Sequence, residues 1–201
     1  MVMTWSELTA LLLFATAMSF TPGPNTTLAA ALAANGGLPH AMPFVLGVPI
    51  GWGLLLLASA LGLGGMLQAA PALRGAIKWL GLAYMLWLAW KLARADTLST
   101  ADPRRLQVGF AKGVALQFVN IKAWMNALLI SAGWVHVAEP MAPRLAIVLP
   151  LMMAFGLASN LAYALAGSAL RGWLAHGRRL RHFNRVLAGV LVLTALWMAR
   201  L

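Results

Sequence analysis

The chain has 201 residues, of which 62% are hydrophobic and only 9% charged. A soluble domain carries about a quarter charged residues, so this composition belongs to a membrane protein. Its 15 lysines and arginines outnumber 4 acids, but they lie mainly between apolar runs and read as topology signals and contacts to anionic lipid, not as a nucleic-acid surface. The chain has no cysteine, which excludes disulfides, thiol chemistry and cysteine metal sites.

Six apolar runs follow, at roughly 7–34, 42–67, 76–94, 109–134, 144–170 and 184–200. Each is near or above the ~20 residues that cross a bilayer. Ala15-Thr16-Ala17 resembles a signal-peptide cleavage site, but the N-terminus lacks a positive region and its one charge is Glu7. The first run is therefore read as an uncleaved helix.

That run is interrupted by Phe20-Thr21-Pro22-Gly23-Pro24-Asn25-Thr26-Thr27. Each proline lacks an N–H and crowds the carbonyl four residues back, and Pro22 biases Thr21 away from the helical region. Backbone groups freed there find no partner in hydrocarbon, so they must face protein or a wet cavity. A kink is the plainer reading. Two prolines around a glycine, followed by Asn25, Thr26 and Thr27, fit better with an opened backbone and a new helix start capped by Asn25. The N-terminus of that second half-helix favours an anion such as a carboxylate.

In the second run Gly47 and Gly51 are spaced for close helix contact. Pro43 and Pro49 bend that helix or mark its start, and Gly62, Gly64 and Gly65 soften its far end. Packing is the favoured role of these glycines. Lys91, Arg94, Arg104, Arg105 and Lys112 flank the loop after the third run, and Arg171, Arg178, Arg179, Arg181 and Arg185 the loop after the fifth. Arg74, Lys78, Arg144 and Arg200 fall on the other side. The richer side is predicted to be cytoplasmic, with both termini outside.

The halves look related. Phe20-Thr21-Pro22-Gly23-Pro24 has a counterpart in Phe118-Val119-Asn120-Ile121-Lys122, Pro49 in Pro150, and Gly81 in Gly189. The expected architecture is an all-α membrane protein of six transmembrane helices arranged as two inverted three-helix repeats. Residues 7–94 and 109–201 form the repeats and 95–108 a cytoplasmic linker, with the site between the halves.

Lys122 falls mid-span, about 20 Å from either end, too far to snorkel. No acid lies within a run: Glu7, Asp96, Asp102 and Glu139 are at helix ends or in loops. Such a cation marks a pathway, relay or ligand site. It either binds a substrate carboxylate directly or ties carbonyls at the first break. Asn120 bonds freed backbone or substrate. Asn160 and Tyr163 share a helix face and line the cavity or act as interhelical glue, with Gln117 a weaker candidate. Most tryptophans, Trp52 included, sit near span ends as interfacial anchors, and Trp124 lies deeper. The candidate binding set is Pro22, Gly23, Pro24, Asn25, Thr26, Asn120, Lys122, Asn160 and Tyr163.

These residues resemble the LysE/RhtB family of small bacterial amino-acid exporters along the whole chain. The likeness rests on Pro22-Gly23-Pro24 and on Asn120-Ile121-Lys122, where the family's Asn-Pro-Lys has Ile121 in place of proline. The resemblance implies a secondary transporter in the bacterial cytoplasmic membrane. It would export an amino acid or derivative, with proton-motive force as the driver.

His40, His136, His176 and His182 are all expected in loops, without ligand partners. No phosphate loop or hydrolytic constellation is present, so no cofactor, metal, ATP or enzyme activity is expected. The expected partners are a small amino-acid-like substrate and membrane lipid, with a homo-oligomer left open. The rival functions are a passive small-solute channel and a membrane-embedded enzyme using Lys122.

Overall fold

The computed structural model describes residues 2–63, 69–95, 108–137, 140–176 and 178–200. Every regular element among them is helical. Helix α1 (Trp5–Phe20) opens with a capping box in which the Glu7 N–H donates to Thr4 Oγ1 at 3.2 Å and the Thr4 N–H to Glu7 Oε2 at 2.7 Å. It stops at Thr21, which is extended (φ −64°, ψ 127°). Helix α2 (Pro24–Gly36) starts with proline at its first position, where the missing N–H costs nothing.

Gly37 (φ +85°) makes the turn into α3 (Leu38–Ala58), a conformation that suits glycine alone. Pro43 and Pro49 lie inside α3, which runs on through both. A π-helical turn, Ser59–Leu63, contains Gly62 at φ +97° and ends the element. Gly64 and Gly65 fall outside the described residues, as does most of the expected linker.

Helix α4 is Pro71–Ala93, α5 Phe110–Val119 and α6 Ile121–Ile130, continued by a π turn over Ser131–Val135. Helices α7 (Met141–Leu174) and α8 (Arg179–Ala199) complete the order. Three described helical stretches are long and apolar enough to cross a bilayer: Leu38–Gly62, Met141–Leu174 and Arg179–Ala199. A fourth is added if Phe110–Val119 and Ile121–Val135, bent by 73°, make one span.

Helices α3 and α8 begin before their apolar runs do, and this corrects one expectation. His40 is in the first turn of α3 and His182 in α8, not in loops. Apolar runs report the hydrocarbon-crossing part of a helix; Gly37 and Pro39 start α3 at Leu38, before the run expected from residue 42.

Helix α2 is central. It packs chiefly on α7, while α5 packs on α3 and α4 on α8. Glycines permit these approaches, as expected for Gly47 and Gly51. A Cβ on either would meet the backbone carbonyl of Phe110 or Val114 in α5, and one on Gly167 would meet that of Ala30. The main core joins Leu28, Leu32, Phe44, Val48, Leu88 and Leu191. Trp5, Trp79, Trp90, Trp173 and Trp197 stand outward and exposed, as suits a lipid-facing exterior.

Polar clasps close the two ends. At one, Arg144 donates to Glu7 Oε1 at 2.9 Å and to the Trp134 carbonyl at 3.3 Å, while Trp134 Nε1 donates to the Glu7 carbonyl at 3.0 Å. This gathers the starts of α1 and α7 and the end of the Ser131–Val135 turn. At the other, Asn184 Nδ2 donates to Asn35 Oδ1 (3.2 Å) and to the Ala95 carbonyl (2.8 Å), and Asn35 returns a bond of 3.0 Å. This gathers the ends of α2 and α4 and the start of α8.

Candidate functional site

Prolines 22 and 24 cannot donate to the carbonyls of Met18 and Phe20, which a continuous helix would have satisfied. Tyr163 of α7 supplies one replacement, its hydroxyl donating to the Phe20 carbonyl at 3.0 Å. The Thr21 carbonyl accepts from Lys122 Nζ at 3.1 Å. A Cβ on Gly23 would lie 3.3 Å from that Nζ, so glycine lets the lysine rest against the opened backbone.

The second break forms without a proline. Asn120 is extended (φ −95°, ψ 103°), and its Oδ1 accepts from the Lys122 N–H at 3.1 Å, which caps α6. Trp124 Nε1 donates to the Phe118 carbonyl left open at the end of α5 (2.9 Å). Asn120 therefore bonds backbone freed at its own break.

The two breaks are tied crosswise. Lys122, in α6, holds the end of α1. Asn25, in the first turn of α2, exchanges two hydrogen bonds with Gln117 of α5, at 2.9 and 3.1 Å. This corrects the expected capping role of Asn25. Gly23 occupies the cap position, and its N–H donates to Thr26 Oγ1 at 3.0 Å. Helix geometry leaves the N–H groups of Asn25 and Thr26 without acceptors inside α2.

Around these ties lies a cleft of about 70 Å³, with polar side chains from both breaks in its wall. Gly23, Pro24, Asn25, Thr26, Asn120, Lys122 and Asn160 all line it. Pro22 and Tyr163 do not; Pro22 is exposed and Tyr163 braces the end of α1. No described acid lines the cleft.

Asn126, Ser159 and Trp52 line it too and were missed. Asn126 was findable, because it follows Lys122 by one helical turn and shares its face. Trp52 passed as an interfacial anchor, and Trp124 borders a separate groove beside Arg74 and Lys78.

Asn160 Nδ2 donates to the Gly156 carbonyl at 2.7 Å, but its Oδ1 and that of Asn126 are buried without a donor. A buried acceptor left so costs about 1–3 kcal/mol. The cleft is thus lined by a lysine, by the first turn of α2 and by two asparagines whose amide oxygens are buried without a donor.

A multi-pass membrane protein with a polar centre built from two broken helices belongs among transporters. The model of the LysE type translocator family matches residues 16–200, and the chain is a member of that family, whose members are translocators and not enzymes. It is 31% identical over 194 residues to a cysteine/O-acetylserine efflux protein of Klebsiella pneumoniae, covering 96% of this chain and 97% of the relative. The protein of that name from Escherichia coli K12 is 31% identical over 195 residues, again 96% and 97% of the two chains. One from Salmonella choleraesuis is 30% identical over 182 residues, 90% and 89%. No solved structure matches.

Proposed function

We propose that the protein exports a small amino acid or derivative across the bacterial cytoplasmic membrane, by alternating access and with proton antiport as its driver. The observation that carries the reading is the meeting of the two helix breaks, where Lys122 Nζ lies 3.1 Å from the Thr21 carbonyl. A substrate carboxylate has a natural place there, between the Lys122 ammonium and the free N–H groups at the start of α2. The efflux proteins it resembles act, by name, on cysteine and O-acetylserine, and molecules of that size are the substrate class proposed here.

The six-span inverted repeat remains part of this reading. Exchange of the halves would map α1 onto α5 and α2 onto α6. It would then turn the Lys122–Thr21 tie, between α6 and α1, into a tie between α2 and α5, which is where Asn25 and Gln117 meet. The end clasps fit the same topology, with the Glu7–Arg144 end outside and the Asn35–Asn184 end on the basic, cytoplasmic side. Rocking of one half against the other would open each end in turn.

The test is efflux from loaded cells, beside a growth panel in which overexpressing cells are challenged with amino acids and analogues. Tolerance to one or a few neutral compounds is expected, with export lost in Lys122→Ala and Pro22→Ala. Export at wild-type rates in both variants would refute the site. Flux that never saturates and never runs against a gradient would mean a channel.

A further inference from the structure

We propose that the amide oxygens of Asn126 and Asn160 receive the substrate's ammonium group, so that the cleft selects small zwitterions over anions of the same shape. The inference rests on the exporter reading above. Both side chains line the cleft; Asn126 is 9% exposed and Asn160 3%. The Oδ1 of each is buried and has no hydrogen-bond donor. Buried acceptors in folded proteins are nearly always paired, so two such oxygens on residues that border one cleft are candidates for a donor brought by a ligand, reached by a side-chain rotation.

The amide nitrogen of Asn160 is committed to the Gly156 carbonyl at 2.7 Å, which fixes that side chain with its oxygen to spare. Asn126 stands four residues after Lys122 on one face of α6, where neighbouring Cβ atoms lie about 6 Å apart. Lys122, Asn126 and Asn160 therefore border one cleft, within the reach of one small molecule. Neutral amides suit the task better than a carboxylate, because they leave no uncompensated buried anion once the ligand departs. Net charge alone would favour an anion, which neutralises Lys122, so the preference for a zwitterion is assigned to the two amide oxygens. An acid without the ammonium would leave both oxygens unpaired and is discriminated against on that account.

The test uses the purified full chain in proteoliposomes. These are loaded in turn with neutral L-amino acids and with the corresponding 2-deaminated acids, for instance L-serine and 3-hydroxypropanoate, with protein-free vesicles as the leak control. Wild type is expected to carry at least one amino acid ten times faster, or more, than its deaminated partner. Asn126→Leu and Asn160→Leu should each lower the ratio of amino-acid flux to deaminated-acid flux at least tenfold. Asn126→Asp, which keeps an oxygen and the side-chain shape, should retain the preference; it carries the test if the leucine variants do not fold. Equal wild-type flux of the two compounds, a preference that survives in both leucine variants, or its loss in Asn126→Asp would each overturn the proposal. Lys122→Ala separates the two readings. Lys122-dependent amino-acid flux without an ammonium preference defeats this inference alone, whereas no wild-type amino-acid flux defeats the exporter reading as well.

Discussion

The Lys122 ammonium donates to the Thr21 carbonyl at 3.1 Å, so a cation at the start of one half-helix closes the end of another 101 residues away. Replacement of Lys122 by methionine keeps the chain length and removes the charge. Efflux should fall at least tenfold, while the protein still elutes as a single species from a sizing column. A collapse of both together would assign Lys122 to folding and not to the substrate.

Gly51 faces the Val114 carbonyl with no room for a side chain. Gly51→Val should therefore lower stability by about 1–3 kcal/mol, the usual cost of overpacking, read as thermal unfolding in detergent. Gly189→Ala is the matched control, because nothing lies within 4 Å of its added Cβ. It should be tolerated.

Arg144 is buried at one end of the molecule, where it meets Glu7 Oε1 and the Trp134 carbonyl. Glu7→Gln leaves its guanidinium in place without a counter-charge, and should lower the unfolding temperature more than the double variant Glu7→Gln/Arg144→Met does. Equal losses in the single and double variants would show that the pair contributes nothing beyond packing.

Asn184 is fully buried and serves both Asn35 and the Ala95 carbonyl. Asn184→Leu strands two polar groups, for a predicted loss of about 1–3 kcal/mol. Asn35→Leu/Asn184→Leu should recover part of it, since only the Ala95 carbonyl is then left open. The readout is again thermal unfolding.

How much could be read beforehand depended on sequence distance. The break at Pro22-Gly23-Pro24 was legible because proline chemistry is local: a missing N–H acts wherever the residue stands. The place of Lys122 near the middle of an apolar run was equally plain, since it needs only a count of apolar residues to either side. The capping role of Asn25 was misassigned because its partner Gln117 lies 92 residues on, out of reach of any local reading. The Glu7–Arg144 pair, separated by 137 residues, left no trace in composition. Trp52 was grouped with the interfacial tryptophans because position along a run says how deep a residue lies, not which way it faces.

The two discontinuities differ in permanence. Pro22 and Pro24 hold no amide hydrogen, so the first can never be mended into one rod. Ile121 does hold one, and side-chain hydrogen bonds from the Asn120 cap and Trp124 stand at the 73° bend there. Nothing covalent prevents Ile121 from donating to the Gln117 carbonyl and straightening the fourth segment. Of the molecule's two joints, one is welded open and the other is merely latched.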